Sequence, residues 1–290
     1  MTARSLNGGG PPWSVVVPTR RVSDRQHEML KRLAEAFPQP TEIVVVADNV
    51  PARGESSPEG RVRCSEHRGT RGFGPTCNAG ARAARGANLL FLNDDIRVGP
   101  GLLNALGEAL GSHSIGAVGP DVWSLALGRS ESGTRLFWHH GVLETRQDAL
   151  SGEGAVEVPY LCGAVLAVRR IDFFAVGGFD ERLAPYYWED VDLSLRIQRS
   201  VGTTRVLSDV QVEHDHGATI STEPAHLRRR IYERNRLLVT WKTLSGSRWL
   251  AHLVWCPFRL LAATVRDPLT AVAWPLALAR LRGRRGRAQS

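Results

Sequence analysis

Three groups of residues in this 290-residue chain have the types and spacing to do chemistry. Asn93-Asp94-Asp95 directly follows the apolar run Leu89-Leu90-Phe91-Leu92. Two adjacent acids at a buried strand end repel each other, and a divalent cation relieves that repulsion. Oxygen donors of this kind suit Mg²⁺ or Mn²⁺, which bind through one or two carboxylates together with substrate phosphates. The pair therefore points to a nucleotide-linked substrate; the alternative is an acidic turn before the helix near Leu102. The second group is Tyr186-Tyr187-Trp188-Glu189-Asp190-Val191-Asp192. Acids that open a helix complement its N-terminal dipole, which accounts for Glu189 and Asp192. It does not account for three aromatics just before them, which would wall in a partly dehydrated carboxylate. A carboxylate held there can accept a proton from an attacking hydroxyl. The third group, His214-Asp215-His216, follows an apolar strand. An imidazole there can complete a Mn²⁺ or Mg²⁺ shell, or it can be structural.

Other chemistries are disfavoured. HExxH, GxSxG and GxxxxGK[ST] are absent, and Gly69 to Gly74 lacks the GxGxxG spacing. Cys64, Cys77, Cys162 and Cys256 lie far apart without a CxxC pair, so neither a disulfide framework nor a zinc site is expected. Met1 to Pro12 is Gly/Pro-rich and lacks the apolar core of a signal peptide. It reads as a disordered lead, and the chain as cytoplasmic. The formal charge is +8, and nearly all the cations are arginine, a bias expected of a GC-rich genome. Such charge suits nucleic acid, an anionic membrane or a phosphate-bearing substrate.

The elements that must position these groups can be read from short apolar runs ending in polar residues, the mark of strands covered on both faces. Ser14–Val17, Glu42–Val46, Arg61–Arg63 and Leu89–Leu92 are expected strands. Arg25–Phe37 and Pro75–Arg85 are expected helices between them. The alternation predicts a doubly wound α/β domain, in which ligands sit beyond the carboxyl ends of the strands. Thr19, Asp48 and Asp94-Asp95 all fall at such ends. A helix is expected at Leu102–Leu110, a looser stretch over 121–157 with one hairpin near Gly141, and a strand at Tyr160–Val168. Helices at Arg170–Val176 and Val191–Arg199 and a strand at Thr204–Val212 complete the reading.

The segment from Arg248 to Ser290 changes character. Trp249–Val265 and Leu269–Ala279 are apolar but too interrupted or too short for the roughly 20 residues that span a bilayer. With tryptophans and five arginines between Arg280 and Arg287, they read as an interfacial membrane anchor. Packing on the core or on a second copy of the chain is the alternative.

Taken in order, Val15-Val16-Val17-Pro18-Thr19, Glu42 to Asp48, Gly72-Phe73-Gly74 to Asn78-Ala79-Gly80, and Leu90 to Asp95 resemble family 2 glycosyltransferases of the GT-A fold. Cys162-Gly163-Ala164, Arg169-Arg170, Gly177 to Glu181 and Trp188 to Leu193 with Arg196 continue the likeness, which runs over about residues 13–245. The resemblance implies a GT-A domain over 13–245, with 246–290 as a helical basic extension. It implies an inverting transfer of a hexosyl or deoxyhexosyl group from a nucleotide-diphosphate sugar to an unidentified acceptor hydroxyl or amine. By position, Pro18, Thr19, Asp48, Asn78, Asn93 and Asp94 would contact the nucleotide sugar. Asp95 and His214 would hold Mg²⁺ or Mn²⁺, with His216 in reserve for His214. Asp190 would be the catalytic base, and Trp188 and Glu189 would orient the acceptor. Ala47 and Asn93 stand where the family often carries acids. Nucleic acid is not an expected partner; peripheral membrane contact and a homodimer are. The competing readings are a nucleotidyltransferase-like enzyme, which needs no aromatic-lined Glu189-Asp190, and a non-catalytic sugar- or nucleic-acid-binding homologue.

Overall fold

The computed structural model describes residues 12–20, 32–37, 41–49, 62–69, 71–215, 223–266 and 271–282. The expected N-terminal lead, His216 and most of the expected helix at Arg25–Phe37 lie outside them; 32–36 is helical. The strands are β1 (Trp13–Thr19), β2 (Thr41–Asp48), β3 (Val62–His67), β4 (Asn88–Leu92), β5 (Ile96–Arg97), β6 (Ile115–Ser124), β7 (Arg129–Ser130), β8 (Thr134–His139), β9 (Val142–Gln147), β10 (Ala155–Glu157), β11 (Val165–Arg169) and β12 (Thr203–His214). The helices are α1 (Phe73–Ala83), α2 (Leu102–Leu110), α3 (Arg170–Ala175), α4 (Glu189–Ser200), α5 (Ala225–Thr243), α6 (Ser247–Arg266) and α7 (Ala273–Arg282).

The main sheet runs β10-β12-β6-β11-β4-β1-β2-β3, with β5 on β12 and β7 on β6; β8 and β9 form a separate hairpin. β1 pairs parallel with both β2 and β4, and β2 with β3. β11 is antiparallel to β4 and to β6, and β6 is parallel to β12. Two reversals restore the direction, so β12 ends on the same side of the sheet as β1, β2 and β4. That is why His214 and Asp95, so far apart in sequence, finish at one rim.

Alternation along β1 sends Val15 and Val17 to one face, where they join Leu90, Leu92 and the α2 leucines. Val16 faces the other way, among Val44, Phe91, Cys77 and Ala81 of α1, Phe173 and Phe179. A third cluster joins the β8–β9 hairpin to α4, α5 and α7 through Val142, Leu143, Trp188, Val191, Leu237, Leu238 and Ala277.

The structure differs from the sequence reading in four places. β6, buried along nearly all its length, falls partly within the stretch expected to be loose. Gly116, Gly119 and Pro120 interrupt its apolar run, and the first glycine is there for space, since a Cβ would lie 2.5 Å from Ile197. The strand expected from Tyr160 begins only at Val165. α4 starts at Glu189 rather than Val191, so both acids stand in its first turn. α5 was not anticipated as an element, because its buried face carries Arg234, Asn235, Arg236 and Thr240 among its leucines and hides the apolar period.

Candidate active site

At the carboxyl rim a cleft of about 570 Å³ is lined by Pro18, Thr19, Asp48, Asn93, Asp94, Asp95, Glu189, Asp190 and His214. It also takes in Glu131, Tyr186, Tyr187 and Arg228. An adjoining cavity of about 210 Å³ is walled by Tyr160, Tyr187, Trp188 and Tyr232 and shares Glu189 and Asp190 with the cleft. A larger hollow of about 1050 Å³ flanks Trp123 and Asp209 and contains none of the expected site residues.

One end of the cleft is built on the parallel strands. Thr19, buried at the end of β1, donates its hydroxyl to Asp94 at 2.8 Å. Asp48, buried at the end of β2, accepts from the Gly72 amide at 3.1 Å and from Asn49 at 3.0 Å. Gly72 has φ 136°, and a Cβ there would lie 2.4 Å from the Pro185 carbonyl oxygen, so only glycine lets the chain pass. Asn78 is not brought to the cleft. Its amide donates to the Phe179 carbonyl and to Glu181 and its oxygen accepts from the Phe179 amide, which fixes α1 to the segment before α4.

β5 and β12 pair at Ile96 and His214, and this juxtaposes Asp95 with His214. His214 Nε2 lies 3.2 Å from Asp95 Oδ1, while Nδ1 lies 2.9 Å from Glu131 Oε2. Burial opposes a charge on His214, but the hydrogen bonds to Asp95 and Glu131 outweigh it and raise its pKa to about 9. A divalent cation would take the proton's place on Nε2, leaving Glu131 to hold Nδ1–H in the tautomer a ligand needs. Glu131 was missed in the sequence because an acid between Ser130 and Ser132 carries no motif. Among the described residues no three His, Cys, Asp or Glu converge to hold a metal by themselves. Asp95 and His214 thus fit a cation that draws its remaining ligands from substrate phosphates and water.

In the same cleft, Asp190 Oδ2 accepts from the Gly163 amide at 3.1 Å and Oδ1 from the Val191 amide at 2.8 Å. Burial raises the Asp190 pKa against these bonds, and burial followed by the charge of Asp190 raises that of Glu189 further. Trp188, at φ 72°, turns its ring inward against Tyr232 with centroids 5.6 Å apart. Trp188 Nε1 and Glu189 Oε2 are buried without a hydrogen-bond partner among the described residues. Asp192 takes no part in the cleft: buried, it pairs with Arg196 at 2.8 Å and with Lys242. Burial pushes the Cys162 thiol up to about 12, so it is no nucleophile at neutral pH.

Residues 14–170 match the family model for glycosyl transferase family 2. A Mycobacterium tuberculosis protein, "N-acetylglucosaminyl-diphospho-decaprenol L-rhamnosyltransferase", is 30% identical over 154 residues, which is 47% of this chain and 50% of that protein. The chain thus spans about half the length of that curated relative. Among solved structures, GalNAc-T7 with UDP, GalNAc and Mn²⁺ superposes with a TM-score of 0.61 at 16% identity, over 80% of this chain and 48% of that one. Staphylococcus aureus TarS 1–349 with UDP-GlcNAc superposes with a TM-score of 0.59 at 16% identity, over 92% and 81%. The mixed sheet and its flanking helices are the GT-A fold of these structures. With more than half its length matched and the fold in agreement, the chain belongs to glycosyl transferase family 2.

Proposed function

We propose that the protein is an inverting glycosyltransferase that moves a sugar from a nucleotide-diphosphate donor to an acceptor hydroxyl or amine, with a divalent cation at Asp95 and His214. One observation carries the reading: a single cleft holds the Asp95–His214 pair, the strand-end residues Pro18, Thr19 and Asp48, and Asp190. The nucleotide lies over the ends of β1 and β2, with Asp94 and Asn93 facing the sugar-diphosphate. The acceptor enters beside Trp188 and Glu189. Asp190 takes the proton from the acceptor as its oxygen or nitrogen bonds to the anomeric carbon and the bond from that carbon to the diphosphate oxygen breaks. One displacement inverts the centre. A bound cation supplies Lewis-acid neutralisation of the leaving diphosphate. Arg228 also lines the cleft and adds positive charge there. For substrates, the deoxyhexosyl donor and lipid-diphosphate acceptor named for the mycobacterial relative are the first pair to test.

A thermal-shift screen of nucleotide sugars with and without Mn²⁺ tests the donor and the metal together, since a ligand bound only by the folded state raises apparent stability. The expected result is a rise with one donor class that chelation removes. Release of nucleoside diphosphate identifies glycosyl transfer, whereas release of pyrophosphate would identify a nucleotidyltransferase. Full turnover after exhaustive chelation would remove the cation from the mechanism.

A further inference from the structure

The C-terminal helices divide the tail's two expected roles between them. α7 packs on α5 and buries Ala273 and Ala277. α6 packs on the body chiefly along His252, Cys256, Arg259 and Ala263, which recur at helical spacing and are the only ones among its described side chains that are not exposed; Arg248 over Trp138 and Trp255 on His140 flank that line. His252 is the centre of that contact: it accepts from Trp241 Nε1 at 2.9 Å and donates Nδ1–H to the Gly141 carbonyl at 2.7 Å. Gly141 sits so close to α6 that a Cβ would lie 2.8 Å from the Ala251 carbonyl oxygen. The helix is therefore held firmly, and the rest of its circumference faces outward. Leu250, Leu253, Val254, Phe258, Leu261 and Val265 are between 61% and 75% exposed. Trp249 and Trp255 flank the contact line and are less exposed, at 46% and 39%, with Trp255 stacked on His140. An apolar face of this extent is rare on a soluble monomer without a function.

Charge decides what covers it. From Ser247 to the last residue the sequence carries eight arginines and one acid, Asp267, a net +7 out of +8 for the whole chain. α6 itself contains no Asp or Glu and has arginines at both ends, Arg248 and Arg266. Two copies meeting through this face would bring like charges together. Anionic lipid would neutralise them while the alkyl side chains enter the acyl boundary and the tryptophans lie at headgroup depth. No helix among the described residues is long and apolar enough to cross a membrane, so α6 lies along the surface.

We infer that the outer face of α6 is an in-plane docking surface for an anionic lipid bilayer. The inference goes beyond glycosyl transfer and does not rest on it.

The full chain is floated with vesicles of phosphatidylcholine alone or with added phosphatidylglycerol. The expected result is binding to the anionic vesicles, weakened by salt, with little on neutral ones. Brominated lipids should quench part of the fluorescence of the chain's eight tryptophans in the anionic vesicles, and the Trp249→Phe, Trp255→Phe variant should lose that quenching. The double variant Leu253→Glu with Leu261→Glu changes side chains that stand in solvent. It should keep the wild-type melting midpoint and lose about tenfold or more in vesicle affinity, because the anionic surface repels its new charges. Three results would each overturn the inference: no binding to anionic vesicles at low salt, binding without bromine quenching, or a concentration-dependent dimer that forms without lipid and is abolished by the double variant.

Discussion

At the scale of single residues, the candidate site keeps Glu189 and Asp190 where water cannot fully solvate them, and this has measurable signs. Burial raises the pKa of Asp190 in the folded chain, so the native state binds its proton more tightly than the unfolded chain does. Its ionisation therefore costs stability as pH rises through the raised value, while its proposed role as base needs the ionised form. Asp190→Asn should preserve donor affinity and lower turnover by about 10²–10⁴, while its amide nitrogen, unable to accept the backbone N–H one oxygen held, offsets the stability gained by removing a buried charge. Donor titration and steady-state kinetics on one preparation check both outcomes. The acid limb of the wild-type pH–rate profile should lie above the ordinary aspartate range of about 3.9 and should vanish in the variant. In the proposed site Glu131 would act through His214 rather than on the cation itself. Glu131→Gln leaves the fold but weakens the acceptor that holds His214 Nδ1–H, and Mn²⁺ affinity should fall by about 10–100-fold in an electron paramagnetic resonance titration. Trp188 Nε1 and Glu189 Oε2, which find no hydrogen-bond partner among the described residues, favour an acceptor that brings a complementary donor and acceptor. A deoxy analogue missing either should lose far more than one missing a methylene, as competition assays would show.

At the scale of elements, close approach overrides local preference. Gly80 lies within α1, where alanine would ordinarily stabilise by about 1 kcal/mol. A Cβ there would lie 2.3 Å from Val16 Cγ1 and 2.9 Å from Val46 Cγ2, and overpacking of this kind costs about 1–3 kcal/mol. Gly80→Ala should therefore lower the melting midpoint. Asn235, fully buried in α5, donates to the carbonyls of Leu183, Tyr186 and Tyr187 and so fixes the aromatic segment leading to Asp190. Asn235→Ala should cost about 1–3 kcal/mol in denaturant unfolding and should lower kcat more than donor affinity. The sequence made the β1–β2–β4 side of the cleft legible, because uninterrupted valines and leucines end in Thr19, Asp48 and Asp94-Asp95. It also placed the hairpin turn at Gly141. It did not reveal β6, broken by glycine and proline, or α5, whose buried face is polar, and with them went Glu131 and Asn235. Asn78 shows the opposite limit: its place in the motif order says nothing of the Phe179 backbone and the Glu181 side chain that hold its amide.

At the scale of the whole molecule, the cleft is assembled from strand ends that the chain reaches in separate passes, and the β8–β9 hairpin ties it to the tail. Thr145 and Gln147 reach the cavities at one end of the hairpin. At the other, His140 stacks on Trp255 with centroids 4.0 Å apart, and Gly141 meets His252. One two-stranded element thus touches both the proposed acceptor side and the helix that carries the proposed lipid face. Thermodynamic linkage makes any coupling through it reciprocal: the factor by which a bilayer alters acceptor affinity is the factor by which acceptor alters affinity for the bilayer. Vesicle titrations with and without acceptor, and acceptor titrations with and without vesicles, should return the same ratio. If that ratio exceeds one, membranes rich in acceptor would retain the protein longer, and the substrate would act as the address.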